Sequence, residues 1–143
     1  MRQVKHLLDS KGHEVYSIGE DATVLDAIKH MAERRVGALL VMRGDQLVGM
    51  ISERDYARKV ILEGRSSAQT PVSTIMSSPA LTVAPDTDVD YCMRLCTDSR
   101  IRHLPVVHDN RVVGVISIGD LVKAVIEEQA EQIDHLEQYI AGR

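Results

Sequence analysis

The sequence predicts an α/β (α+β) fold built from two β-α-β-β-α units, and three observations carry that prediction. First, the 143-residue chain contains itself twice at an offset of 65 residues. Val48-Gly49-Met50-Ile51-Ser52-Glu53-Arg54-Asp55 returns as Val113-Gly114-Val115-Ile116-Ser117-Ile118-Gly119-Asp120, and Asp21, Val24, Arg35, Leu39 and Val41 keep register with Asp86, Val89, Arg100, Leu104 and Val106. Second, each copy sets a 3-4 apolar period, the mark of a one-sided helix, before two runs of β-formers. Third, those runs are nearly continuous rather than alternating, so each sheet should be covered by helices on one face and by the sister copy on the other. Two copies facing each other with pseudo-twofold symmetry follow, and their shared seam is where a site is expected.

In chain order, Lys5 to Ser10 reads as a helical lead-in stopped by Gly12, within a segment 1–14 set apart from the repeats. The first repeat is placed at 15–64. Val15 to Ile18 is its first strand. Thr23-Val24-Leu25-Asp26 resembles a capping box with Asp in place of Glu. It opens a helix whose stripe is Val24, Ala27, Ile28, Met31 and Ala32, ended by Gly37. Ala38 to Met42 and Gln46 to Ser52 form a hairpin about Arg43-Gly44-Asp45. Ser52 then caps a helix from Glu53 to Leu62, with Glu53 and Asp55 suiting its dipole.

Polar, small residues make 65–79 the linker, with a helical turn from Val72 to Met76 before Pro79. The second repeat, 80–127, follows the same plan. Leu81 to Val83 is a strand, Asp88 caps a helix running to Ser99, and His103 to Val107 and Arg111 to Ser117 are strands about His108-Asp109-Asn110. The last helix overruns its counterpart, from Leu121 to about Ala141, with 128–143 as the extension. Val122, Ile126, Gln129, Ile133, Leu136 and Ile140 form a heptad seam on it. A partner helix would cover that seam; the alternative is an exposed helix folding back on its own domain.

Composition narrows the function classes. With no Phe, no Trp and four Tyr, the core must come from Val, Ile, Leu, Met and Ala. A net charge of −4 argues against general nucleic-acid binding, which needs clustered cations. No apolar run approaches a membrane span and no signal peptide is apparent, so the expected location is cytoplasmic. Cys92 and Cys96 lie four apart on one helix face, where small buried hydrophobes are expected rather than a disulfide or redox pair. The histidines show no ligand spacing, so no metal site is expected.

Taken together, the run Ile101-Arg102-His103-Leu104-Pro105-Val106-Val107 leading to Gly114-Val115-Ile116-Ser117-Ile118-Gly119-Asp120 resembles the CBS domain, the regulatory module first named from cystathionine β-synthase. The first copy is similar through Val36-Gly37-Ala38-Leu39-Leu40-Val41 and Gly49-Met50-Ile51-Ser52-Glu53-Arg54-Asp55. The likeness covers about residues 15 to 127, and the whole chain resembles small stand-alone bacterial proteins made only of a CBS pair. It implies a pseudo-twofold module with two clefts between the repeats, adenosine-containing ligands (AMP, ADP, ATP, NAD or S-adenosylmethionine) and further pairing into dimers.

The Ser-x-x-Asp element has its own logic. A serine ending a strand and starting a helix offers a hydroxyl and unpaired N–H groups to an anionic oxygen. An aspartate one turn on offers two acceptor oxygens to a ribose diol. Asp55 and Asp120 are therefore assigned to ribose, with Ser52 and Ser117 near the sugar or α-phosphate. On the residues alone, both elements could equally be capping boxes and nothing more; the resemblance favours the nucleotide. For phosphate, the resemblance points to Arg102 and His103, and Arg54 and Arg58 could add charge, with a merely solvated face the alternative for Arg58. Gly37 and Ala38 stand where the second copy has Arg102 and His103 and make space instead, so the clefts should differ. The resemblance also implies adenine bound to main chain near Ile18 or Val83 and packed on Met50 or Val115; Pro105 is counted among the nucleotide-binding residues.

The expected function is a non-enzymatic sensor of adenosine nucleotides (AMP, ADP, ATP or NAD) acting as regulatory ligands, with no catalytic cofactor. It should be a homodimer, pairing through its CBS faces and C-terminal helix, and should act on a separate effector protein. The chain has no Ser-His-Asp order, glycine-rich phosphate loop or carboxylate cluster beyond its helix caps, which speaks against an enzyme. The alternative is a structural dimeric adaptor with empty or vestigial clefts.

Overall fold

A computed structural model describes residues 2–142. In chain order the elements are α1 (Val4–Lys11), β1 (Ser17–Gly19), α2 (Val24–Arg34), β2 (Ala38–Arg43), β3 (Gln46–Ser52), α3 (Glu53–Tyr56), a π-helical continuation (Ala57–Ile61), α4 (Val72–Ile75), α5 (Val89–Ser99), β4 (His103–His108), β5 (Arg111–Ser117) and α6 (Ile118–Ile140). The fold is mixed α+β with a long C-terminal helix, as the sequence implied. Two compact units divide the chain: one holds Glu14–Leu81 and Asp109–Val112, the other the remaining described residues.

In the first-repeat unit the strands run in the order β1-β2-β3, with β1 parallel and β3 antiparallel to β2. The register shifts between Val41 and Met42, which leaves Val48 without a partner across the ladder. Val24, Ala27 and Met31 of α2 meet Leu39, Val41 and Ile51 of the sheet and Val60, so these positions of the 3-4 stripe are the buried face; Ile28 is half-buried, and Ala32, expected in the stripe, is exposed because it lies at the edge of the helix face. The small α4, in the stretch taken as linker, adds Val72 and Ile75 to this core. The first strand is shorter and later than Val15 to Ile18.

Helix α2 closes at Arg35, not at Gly37. Arg35 takes the left-handed conformation (φ 56°), and the N–H of Val36 returns to the Met31 carbonyl, the Schellman closure. Arg100 repeats this (φ 55°), with the Ile101 N–H bonded to the Cys96 carbonyl. Glycine is the usual residue there, so the sequence pointed to the wrong position. At the start of α2 only half a capping box forms: the Thr23 hydroxyl accepts the Asp26 N–H.

In the second repeat β4 and β5 form a hairpin whose turn residues Asp109 and Asn110 both have positive φ (50° and 63°), as a two-residue type I′ turn requires. The strand expected at Leu81 to Val83 is a single bridge: Val83 pairs in parallel with Val106 and nothing extends it. The chain turns at once, since Pro85 has no N–H and Ala84 and Thr87 bond each other. Asp88 stands at the N-cap of α5 without a side-chain cap; instead the Val89 N–H donates to the Arg2 carbonyl. The lead-in helix α1 belongs to this unit, burying Val4, Leu7 and Leu8 among Val89, Cys92, Cys96, Leu104, Val106, Ile116 and Leu121.

Helix α6 begins at Ile118, directly after its cap Ser117, and ends at Ile140. Its apolar seam stands open in the single chain: Val122, Ile126, Ile133, Leu136 and Ile140 are 41% to 76% exposed. No helix among the described residues is long and apolar enough to cross a membrane.

Candidate functional site

The same junction is built twice, where the last strand of a repeat passes into a helix. In the first repeat Ser52 ends β3 in extended conformation and caps α3. Its hydroxyl accepts the Asp55 N–H (3.2 Å), while Asp55 Oδ2 accepts the Ser52 N–H (2.9 Å) and hydroxyl (3.1 Å). Asp55 Oδ1 lies 3.4 Å from Lys59 Nζ one turn along, and that ammonium also donates to the Ile75 carbonyl (3.0 Å). The Glu53 N–H donates to the Gly37 carbonyl, and Ala38 pairs with Ser52 across the ladder. Gly37, Ala38, Ser52 and Asp55 are thus brought together.

The other first-repeat residues are placed around this junction. Met50 is opposite Leu40, and its N–H and C=O both bond Ser77 main chain (3.0 and 2.8 Å). Ile18 lies beside Val41 on β1, one strand away from β3. Arg54 and Arg58 are exposed on the helix that follows.

The second repeat copies the cap and changes its surroundings. Ser117 accepts the Asp120 N–H (3.2 Å), and Asp120 Oδ2 accepts the Ser117 N–H (2.8 Å). Here a lysine from outside the helix arrives: Lys11 Nζ donates to the same Asp120 Oδ2 (2.6 Å) and to the Val115 carbonyl (2.8 Å). The Ile118 N–H donates to the Arg102 carbonyl, the counterpart of the Glu53–Gly37 bond. Arg102, His103, Val115, Ser117 and Asp120 therefore gather at one junction. The Arg102 side chain is exposed and that of His103 half-buried. Val83 and Pro105 are buried, the Val83 N–H donating to the Pro105 carbonyl.

Burial pushes the Asp120 carboxyl upward, but the Lys11 hydrogen bond, the Ser117 N–H and the Lys11 charge outweigh it and hold the group below its ordinary range. Lys11 and Lys59 are the residues sequence reasoning missed. Lys59 was detectable as an Asp-Lys pair at i, i+4. Lys11 gave no signal, because the 65-residue offset sets it against Met76.

A groove of about 590 Å³ runs beside this second junction between α1 and α6, its rim including His6, Lys11, Asp120 and Lys123. Arg2 spans its far end with bonds to Glu127 (2.8 Å) and Glu131 (2.5 Å). Cys92 and Cys96 are buried free thiols in the core, and no cluster of three or more metal-ligating side chains occurs among the described residues.

Duplicated strand-to-helix junctions, each with a Ser-x-x-Asp cap on an α+β repeat, define a tandem-repeat module. The CBS domain family model matches residues 4–62 and 72–127, and the chain belongs to that family with two copies. It is 49% identical over 127 residues to the CBS domain-containing protein CBSX3, mitochondrial, of Arabidopsis thaliana, covering 85% of this chain and 62% of that protein. A protein with CBS domains from Burkholderia ambifaria, of known structure, is 47% identical with a TM-score of 0.86, covering 90% of this chain and 96% of the other. A hexameric CBS-CP12 protein from bloom-forming cyanobacteria is 31% identical with a TM-score of 0.75, covering 85% of this chain and 70% of that one.

Proposed function

We propose that the protein is a non-enzymatic regulatory module that binds adenosine-containing nucleotides, AMP, ADP, ATP or NAD, at its two Ser-x-x-Asp junctions. The observation that carries the reading is the position of Asp55 and Asp120. Each is a half-buried carboxylate fixed by its own cap beside a strand end and main-chain carbonyls, an arrangement that offers acceptor oxygens to a sugar diol. Arg102 supplies a cation and His103 a ring N–H for phosphate at the second junction, with Arg54 and Arg58 serving the first. Ile18, Met50, Val83, Pro105 and Val115 supply apolar walls and main-chain groups for adenine. Gly37 and Ala38 leave room where the second repeat has Arg102 and His103, so the two sites differ in affinity.

Ligand binding would bias the conformation that a separate effector protein reads, by no more than the ligand's differential affinity for the two states. The open seam on α6 supports self-association, which the hexameric relative also displays. Two free buried thiols fit a reducing, cytoplasmic setting.

One observation favours the second reading, a structural dimeric adaptor with vestigial sites: both aspartates already complete a helix cap. Thermal unfolding with AMP, ATP and NAD separates the two. At a hundredfold excess over Kd, a ligand adds about 2.7 kcal/mol of stability. Asp55→Asn and Asp120→Asn should each remove part of that gain, and no response to any nucleotide at millimolar levels would leave the adaptor.

A further inference from the structure

The two junctions treat one carbonyl differently. In the first repeat the Met50 C=O is closed by main chain, through the Ser77 N–H at 2.8 Å, and the lysine near Asp55 is its own helix neighbour, 3.4 Å away and also bonded to Ile75. In the second repeat the matching carbonyl, that of Val115, is capped by a side chain. The ammonium that caps it is also the cation on Asp120 Oδ2 at 2.6 Å. Lys11 thus touches both groups that the functional reading gives to adenosine: a strand carbonyl and the ribose carboxylate.

It does so from α1, an element outside the strand-helix junction, and its side chain is about one-third exposed. Lysine carries a compact charge on four flexible methylenes, and a half-exposed ion pair of this type is weakly held. Its counterpart by the repeat offset is Met76, which has no charge; the first repeat's cation, Lys59, comes from the junction's own helix and stands farther off, at 3.4 Å from Asp55.

We propose that Lys11 is a displaceable intramolecular cover of the second junction, occupying Asp120 and the Val115 carbonyl until a nucleotide competes it away. The inference rests on the nucleotide reading and adds a specificity residue to it. The first junction, whose aspartate meets only the looser Lys59 of its own helix, fills first; the second fills only at higher concentration. Inequivalence of the sites then comes from a competing side chain as well as from the Gly37-Ala38 and Arg102-His103 difference.

The test is calorimetric titration of AMP into the full chain in an Asp55→Asn background, which isolates the second junction. Lys11→Met should tighten AMP about fivefold, and Lys11→Arg, which keeps the charge, should stay within about twofold of Lys11. Unchanged or weaker binding in Lys11→Met would overturn the proposal, weaker binding marking Lys11 as a phosphate contact instead. If AMP binds neither the unaltered chain nor Lys11→Met, the nucleotide reading falls and the cover falls with it. If AMP binds in an Asp55- and Asp120-dependent way but Lys11→Met brings no gain, only the cover is lost. Superimposable circular-dichroism spectra of the variants without AMP would show that the fold is unaffected.

Discussion

Gly49 lies so close beneath Ser77 that a Cβ built on it would fall 2.7 Å from the Ser77 carbonyl oxygen and 2.9 Å from the Met76 sulfur. The contact exists because Met50 and Ser77 exchange both main-chain hydrogen bonds, which locks the segment after α4 against β3. Its repeat partner Gly114 is equally crowded, but by the side-chain end of Leu8 at 2.6 Å.

Alanine should therefore cost more at Gly49 than at Gly114, although the two glycines are equivalent in the repeat. Fixed main chain cannot move aside, and overpacking of this kind costs about 1–3 kcal/mol. The Leu8 methyl can rotate away, so Gly114→Ala should lose less. Urea unfolding of both variants measures the order, and an equal or reversed order would contradict it.

The thiols of the second core should be inert. Burial first, and then neighbouring Cys96, pushes the Cys92 thiol from an ordinary value of 9.0 up to about 11. Native protein at pH 8 should resist iodoacetamide over a period in which unfolded protein reacts fully, as mass spectrometry would record. The linkage has a definite sign. A raised folded pKa leaves stability intact below pH 9 and removes it as pH climbs from about 9 through about 11.

Acid should act at the opposite end of the scale through Asp120. Its folded carboxyl is held below the ordinary value, so its contribution is present at neutral pH, above the unfolded pKa. It is lost as pH falls through the folded pKa. Lys11→Met should raise the Asp120 carboxyl pKa, read by carbon-detected NMR titration, and make stability less steep below about pH 4. A titration curve identical in the variant would show that Lys11 does not engage the carboxylate in solution.

The apolar seam of α6 should mediate self-association. Ile133→Asp with Leu136→Asp places two charges on positions that are each about 60% exposed in the single chain, so the fold should lose little. Sedimentation velocity should show the unaltered chain associated and the double variant dissociated. If the two chains sediment alike, the seam is not an interface between copies.

Much of this architecture was legible because the code was local. The hairpins, the serine caps at 52 and 117 and the stripe of α2 each follow from neighbours within a few residues. What escaped was set from a distance or against propensity. Arginine at the left-handed end of α2 overrode the glycine rule, whereas the end of α5 at Ser99 was legible. The π-helical turn after Tyr56 follows helix-forming residues that carry no mark of it. Helices α1 and α4, at eight and four residues, are too short for a clear period, so their core role showed only in packing. At the junctions the Ser-x-x-Asp spacing was visible, whereas Lys11 reaches Asp120 across more than a hundred residues of chain.

Ribose recognition by Asp55 and Asp120 is tested most directly by changing the ligand and leaving the protein alone, since both aspartates also cap helices. Titrating AMP and 2′-deoxy-AMP into the same preparation isolates one hydroxyl. A hydrogen bond to a charged group contributes about 1.5–3 kcal/mol, so AMP should bind at least about tenfold tighter. Equal affinities for the two would contradict a carboxylate grip on the sugar.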